Sequence, residues 1–236
     1  MVPDDPPPSY QAESPVTPKR KLSILRSHST SKPELPEGLV FNIYRSSPLL
    51  SRKVYDITNA DKRTQAFHVT FPYTALGLSS RPNILVQRGG SSGTVIGEVR
   101  YHSMHPDEIV LPASGSPNGP ASTKMSSDGL FTSRKRITLG GQDYQWRHVS
   151  NRADAGRDAG GDDAANSPIS GRWKCTNQHG SVFVRLARTT SAKKVGRITI
   201  TQPGLSDQEI EAFVVTALAV LEKDARRGSD SGNVGD

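Results

Sequence analysis

Catalytic or metal chemistry in this chain would sit first at its histidines, its thiol and its glycine-rich turns. His102 and His105 stand three residues apart. Two imidazoles could begin a metal site, but structural zinc takes four ligands from a clustered set. On a strand leading into Pro106, an i, i+3 pair points to opposite faces, so both are read as surface or edge histidines. Cys175 is the only cysteine. It would act as a nucleophile only with a positioned base, and its neighbours Trp173 and Lys174 place it on a half-buried strand. The run Arg88-Gly89-Gly90-Ser91-Ser92-Gly93-Thr94 could cradle a phosphate if a helix N-terminus and a Lys-Ser/Thr pair followed. It joins two apparent strands instead and is read as a hairpin loop. With no acid–base pair, nucleophile arrangement or metal set, the expectation is a non-enzymatic protein without a cofactor.

Binding motifs are sharper. Pro6-Pro7-Pro8-Ser9-Tyr10 contains Pro-Pro-x-Tyr, formed by Pro7, Pro8 and Tyr10. WW domains bind such segments because a polyproline II stretch is already extended and loses little entropy on docking. The expected partner is a WW-domain protein, such as a HECT-class ubiquitin ligase; the competing reading is a chance match in a Pro-rich tail. Thr17, before Pro18, fits a proline-directed kinase, and Ser23 and Ser29 follow basic residues. A phosphate at any of them would add about −1.5 to −2 charge. Arg134-Lys135-Arg136, Lys193-Lys194 and Arg197 are candidate anion-binding groups, with Arg134, Arg136, Lys193, Lys194 and Arg197 as the set proposed to gather. At most two of the three residues 134–136 share a strand face. Solvated surface, anionic membrane headgroups and nucleic acid are the three readings of this set. Nucleic acid is the least favoured, since aromatic residues make up 6% of the chain and stacking platforms need them.

These groups must be positioned by the elements around them. Residues 1–38 are rich in Pro, Ser and Thr and cannot bury enough apolar surface to offset chain ordering; they are read as a disordered tail. From Leu39 onward short runs alternate apolar and polar. The runs are 39–44, 53–58, 67–71, 84–87, 95–101, 137–139, 144–148, 182–186 and 198–200. Period-two alternation between polar turns predicts antiparallel sheet with one buried face. Residues 112–129 and 151–168 break the spacing and are read as mobile surface loops. The last element is a helix over about 207–227. Ser206 and Glu209 form a capping box, Leu205 and Ile210 its hydrophobic staple, and Gly228 a C-terminal stop ahead of a disordered end, 228–236. The helix centre, Ala212 to Leu221, is apolar all round, which predicts enclosure by protein on every side. The alternative is a helix lying on an open sandwich, which would leave Phe213 or Leu218 in water.

Composition bounds the setting. Hydrophobic residues are 33% of 236, low for a chain folded end to end. A lone cysteine cannot build a disulfide framework. No basic segment leads into an apolar run at the start, and ten apolar residues are too few to span a bilayer. The expected location is therefore cytoplasmic, with peripheral membrane contact open. The net charge of +7 falls on the folded part, because the acids and bases of the tail balance.

Several stretches in order resemble a fungal family catalogued as domain of unknown function 6593. They are Tyr55-Asp56-Ile57, Gly97-Glu98-Val99-Arg100-Tyr101-His102, His105-Pro106-Asp107-Glu108-Ile109-Val110-Leu111, Gly141 to Arg147, Gly196-Arg197-Ile198-Thr199-Ile200 and Phe213-Val214-Val215-Thr216-Ala217. The resemblance covers about residues 39–227. That family is similar to the tubby-like C-terminal fold, which includes phospholipid scramblases. It implies a mainly β, twelve-stranded antiparallel barrel around the hydrophobic C-terminal helix. Tubby relatives bind phosphoinositides, but no lipid-ligand motif carries over residue by residue, and the family resemblance supplies no activity.

Overall fold

The computed structural model describes residues 38–46, 53–72, 82–102, 105–112, 121–127, 134–149, 169–189 and 191–230. The tail motifs at Pro7, Pro8, Tyr10, Thr17, Ser23 and Ser29, the stretch 151–168 and residues 231–236 lie outside them. Twelve strands follow one another before the helix. They are β1 (Leu39–Arg45), β2 (Val54–Thr58), β3 (Gln65–Thr70), β4 (Ile84–Arg88), β5 (Val95–Arg100) and β6 (Asp107–Leu111), then β7 (Ala121–Ser127), β8 (Lys135–Leu139), β9 (Gln142–His148), β10 (Ile169–Asn177), β11 (Val182–Thr189) and β12 (Lys194–Ile200). Each pairs antiparallel with its sequence neighbours, and β1 pairs with β12 to close the barrel. Closure removes the sheet edges that an open antiparallel sheet would expose.

Strand alternation decides what faces inward. On β2, Tyr55 and Ile57 are buried while Asp56 faces out; on β9, Tyr144 and Trp146 are buried while Gln145 and Arg147 face out. The β8–β9 connection is two residues long, Gly140 and Gly141 at φ 57° and 79°. A two-residue hairpin turn of this type needs positive φ at both positions, which glycine adopts without strain.

The helix α1 (Asp207–Asp230) occupies the barrel interior. Its residues from Ala212 to Glu222 are buried all round. It touches β5 and β6 on one side and β11 and β12 on the other, and in the closed strand order β5 and β11 are diametrically opposed. Enclosure, rather than an open sandwich, is therefore the arrangement. Phe213 packs edge-on against Tyr144 at 5.1 Å and beside Phe183 at 5.8 Å. Val215 lies against Gly97 of β5, where an added Cβ would come 2.6 Å from Val215 Cγ2. Thr216, the one hydroxyl in the apolar run, donates to the Phe213 carbonyl at 3.0 Å and so costs little inside the core. The N-terminal capping box is formed: the Ser206 N–H donates to Glu209 at 2.8 Å, and the Glu209 N–H donates to Ser206 Oγ at 3.3 Å.

Four sequence expectations need correction. Residues 112–129 are not all loop, because β7 crosses them at 121–127 between β6 and β8. Its Ser- and Thr-rich sequence hides it, since among its described side chains only Met125 is buried in the core. Strand β6 was absent from the alternating series because Asp107, an inward-facing acid at 1% exposure, breaks the apolar pattern. The helix continues through Gly228 to Asp230; a glycine costs a helix about 1 kcal/mol, too little to end one whose last turns are tied to the barrel. Finally, His102 and His105 lie in the β5–β6 connection rather than on a strand, both exposed, and among the described residues no group of three or more His, Cys, Asp or Glu could hold a metal ion.

Candidate anion-binding surface

The interior and its rims are taken up by structural contacts. Tyr101 donates its hydroxyl to the Ala219 carbonyl at 2.9 Å; burial pushes its phenol pKa well up, so it serves as a neutral donor. Around the C-terminal end of α1, Lys53 pairs with Glu222, Lys223 with Asp107 at 2.5 Å, and Arg188 with Asp224 at 3.5 Å. The Arg226 guanidinium lies 4.6 Å from the Tyr101 ring centre. At the other end Arg88 pairs with Glu211 at 2.7 Å. These pairs tie the helix to β2, β4, β6 and β11. Cys175 lies on the buried face of β10 with Trp173, while Lys174 between them faces out, as the half-buried strand read from the sequence requires; burial raises its thiol pKa, so it stays protonated and inert as a nucleophile. The loop 89–94 is a hairpin turn between β4 and β5, as read from the sequence.

Charge is distributed unevenly among the strands. Strands β1 to β7 carry four acids (Asp56, Glu98, Asp107, Glu108) and four bases (Arg45, Arg88, Arg100, Lys124). Several of these meet as opposite charges. Arg100 pairs with Glu98 at 3.1 Å and Glu108 at 3.4 Å, and Asp56 is hydrogen-bonded to His68 Nδ1 at 2.9 Å. The Ser122 hydroxyl and Arg100 hold the Glu108 carboxyl below its usual pKa. Strands β8 to β12 carry one acid, Asp143, against nine bases, two each on β8, β10, β11 and β12 and one on β9.

Register aligns several of these bases. Lys135 pairs with Trp146, so Arg134, one residue earlier, lies beside Arg147. Arg147 pairs with Lys174, and Lys174 with Arg185. Arg134, Arg147, Lys174 and Arg185 thus form a row across four adjacent strands, alternating along each strand with inward-facing core residues such as Trp146, Trp173, Cys175, Val184 and Leu186. Two residues along, Arg172 and Arg197 both pair with Ala187 and begin a second row. Like charges opposite one another on adjacent strands are destabilising, whereas the β5–β7 wall places opposite charges together.

The predicted anion-binding set is only partly gathered. Arg134 and Arg136 are exposed at the start of β8, while Lys135 between them turns inward at 2% exposure and donates to Ser127 Oγ at 3.2 Å. Lys193, Lys194 and Arg197 lie on or next to β12, four strand spacings away, roughly 19 Å around the wall. The two clusters therefore do not form one compact site. Lys193 is exposed in the β11–β12 turn, and Lys194 is half-buried at the barrel rim on the inward side of β12. Only Arg197 joins the second row. The space between is bridged by Arg147, Arg172, Lys174 and Arg185, which sequence reasoning missed. Each sits between core residues, in Trp-Arg, Arg-Trp-Lys-Cys and Val-Arg-Leu, and the strand order that makes them neighbours is not visible in those fragments. No family model, curated protein or solved structure matches the chain. No helix among the described residues is long and apolar enough to cross a membrane.

Proposed function

We propose that the protein is a non-enzymatic binding adaptor whose barrel docks its basic wall on an anionic membrane surface from the cytoplasmic side. In this reading the N-terminal Pro7-Pro8-x-Tyr10 segment recruits a WW-domain partner such as a HECT-class ubiquitin ligase, and the barrel belongs with the tubby-like proteins. The observation that supports it is the excess of outward-facing bases on β8 to β12, six (Arg136, Arg147, Arg172, Lys174, Arg185 and Arg197) against the single acid Asp143, whereas on β5 and β6 the outward charges of Arg100, Glu98 and Glu108 pair with one another. Each Lys or Arg close to an anionic leaflet is worth about 1 kcal/mol. A convex wall brings a limited number of side chains to a plane at once; four cations give about 4 kcal/mol, a Kd near millimolar. Such contact is weak alone and becomes useful when a second tether raises the effective concentration, which is the role given to the tail.

The test is co-sedimentation of the full chain with phosphatidylcholine vesicles, with and without phosphatidylserine, across a salt series. Binding that needs the anionic lipid, weakens with salt and is lost on reversing Arg136 and Arg147 to Glu supports the reading. Absence of binding at low salt removes it and leaves the tail as the functional element. A WW-domain array probed with full-length chain and a Tyr10→Ala variant tests that half separately.

A further inference from the structure

The barrel is not zipped equally all round. The closing ladder between β1 and β12 runs from Leu39 with Ile200 to Tyr44 with Lys194. On its far side β7 is paired with β6 along the whole of Asp107–Leu111, and β8 is paired with β9 along the whole of Lys135–Leu139. Between β7 and β8 the ladder is short: Ser126 pairs with Arg136 and Ser127 with Lys135. Extending that register sets Met125, Lys124 and Thr123 opposite Ile137, Thr138 and Leu139, but among the described residues no ladder pair forms there. One exposed side-chain bond crosses the gap, from the Thr123 hydroxyl to the Thr138 carbonyl at 2.7 Å. The paired end is tied more firmly, because Lys135 also donates to Ser127 Oγ at 3.2 Å. Helix α1 rests mainly on β5, β6, β11 and β12, so neither strand of this seam is one of its main supports.

We infer that β7 swings away from β8 about Ser126 and Ser127 while the other ladders stay closed, and that this opening delivers Met125 to peroxide, making the seam a redox-sensitive catch. Met125 is 1% exposed and stands at the first position past the last ladder pair, where the two strands part. On β6 its partner is Asp107. The rest of Ser122–Ser127 is Ser, Thr and Lys, so opening uncovers little apolar surface besides Met125 and the facing Ile137 and Leu139. A local opening of that size lies well below global unfolding in free energy. With hydrogen peroxide the thioether sulfur takes one oxygen, the O–O bond breaks, and the other oxygen leaves with both hydrogens as water. Sulfur is oxidised by two electrons and the peroxide is reduced. The sulfoxide is polar, and returning it to the core would bury a S=O group without a partner. The reduced catch is therefore latched and the oxidised one stays open.

The test treats the full chain with hydrogen peroxide under native conditions and follows each methionine by peptide mass spectrometry at several low urea concentrations. Cys175, buried on β10, reports wider opening through an alkylating reagent in a parallel sample. The expected result is Met125 sulfoxide forming at a rate nearly flat in low urea while Cys175 stays unlabelled. A global route would instead speed up about fivefold or more per molar urea. Thr123→Val removes the bond across the gap and should speed Met125 oxidation about fivefold. After peroxide the wild-type melting temperature should fall. Met125→Leu, a swap close in volume, should keep its own under the same treatment, although Met1 and Met104 remain oxidisable. Hydrogen exchange on the untreated wild type gives a reading that needs no variant and decides the matter if Thr123→Val does not fold: the ladder amides of β7 should exchange about tenfold or more faster than those of β1 and β12. Met125 oxidation that tracks urea and Cys175 labelling, an unchanged rate in folded Thr123→Val, or β7 amides as protected as those of β12 each overturns the opening. Met125 oxidation that leaves the melting temperature unchanged overturns the catch.

Discussion

The helix seats on the barrel at Gly97 with no room for a side chain, and replacing this glycine with alanine tests the enclosed helix directly. An alanine Cβ there would lie 2.6 Å from Val215 Cγ2, 3.0 Å from Cγ1 and 3.3 Å from Cβ. Carbon atoms in good contact sit about 3.5–4.0 Å apart, so something must move by about an ångström. Val215 has essentially one side-chain rotamer in a helix and is fully buried. The helix cannot slide freely, because Arg88–Glu211 holds one end and Lys53–Glu222 the other. Overpacking of this kind costs about 1–3 kcal/mol. At about 2–4 °C per kcal/mol for a domain of this size, Gly97→Ala should lower the melting temperature by about 2–12 °C. Val215→Ala removes both offending methyls and should cost about 2 kcal/mol by itself, as lost burial plus a cavity. The double variant should lose less than the sum of the two, by about 1 kcal/mol or more. Urea unfolding followed by tryptophan fluorescence measures all four corners of the cycle. A neutral Gly97→Ala, or strict additivity, would show that α1 does not seat on β5 as described.

Three further outcomes follow from the same core. Leu218 is 1% exposed inside the barrel, so Leu218→Asp should bury an unpaired charge costing several kcal/mol, a large share of a total stability of about 5–15 kcal/mol; a soluble variant with a cooperative melt refutes enclosure. Glu209 is held below its usual pKa by hydrogen bonds from the Ser206 hydroxyl and backbone, so its charged form stabilises the folded state above the unfolded carboxyl pKa and that gain is lost as pH falls through the lower folded value. The melting-temperature gap between wild type and Glu209→Gln should therefore hold steady near neutrality and close in acid, and a gap independent of pH into strong acid contradicts the capping box. Cys175, buried and with its thiol pKa raised, should resist a thiol reagent in the native protein and react on unfolding in denaturant; rapid native labelling would show that β10 opens readily.

The parts of the fold legible in the sequence are those where one periodicity dominates. Strands such as β2, β3 and β9 alternate cleanly, and the apolar run from Ala212 to Leu221 announces a helix that needs walls on every side. The missed strands break that pattern for physical reasons. In β6 the inward position at Asp107 is an acid whose charge is met by Lys223, a partner 116 residues away that no local window contains. In β7 the ladder to β6 and β8 holds a segment whose Ser and Thr side chains would suit a loop as well. The anion-binding set failed similarly. Proximity in sequence drew Arg134 with Arg136 and Lys193 with Lys194, whereas proximity across a sheet is set by register. Arg147, Lys174 and Arg185 are 27 and 11 residues apart by their numbers, yet directly adjacent on the wall.

The barrel's construction also limits where recognition takes place. In many closed sheets the lumen holds a ligand, but here α1 fills it and ion pairs at both rims fix the helix in place. Inward positions answer to packing, and outward positions are left to solvent and to partners. On β5 to β7 the outward charges neutralise one another, as folding stability favours. On β8 to β11 the same architecture carries like charges directly opposite one another on consecutive ladders, an arrangement that works against stability. The core does not require it: Trp146, Trp173 and Cys175 would pack as well beside neutral outward neighbours, because alternation separates the two faces. An anionic membrane surface, as proposed above for this wall, would supply counter-charge to the row.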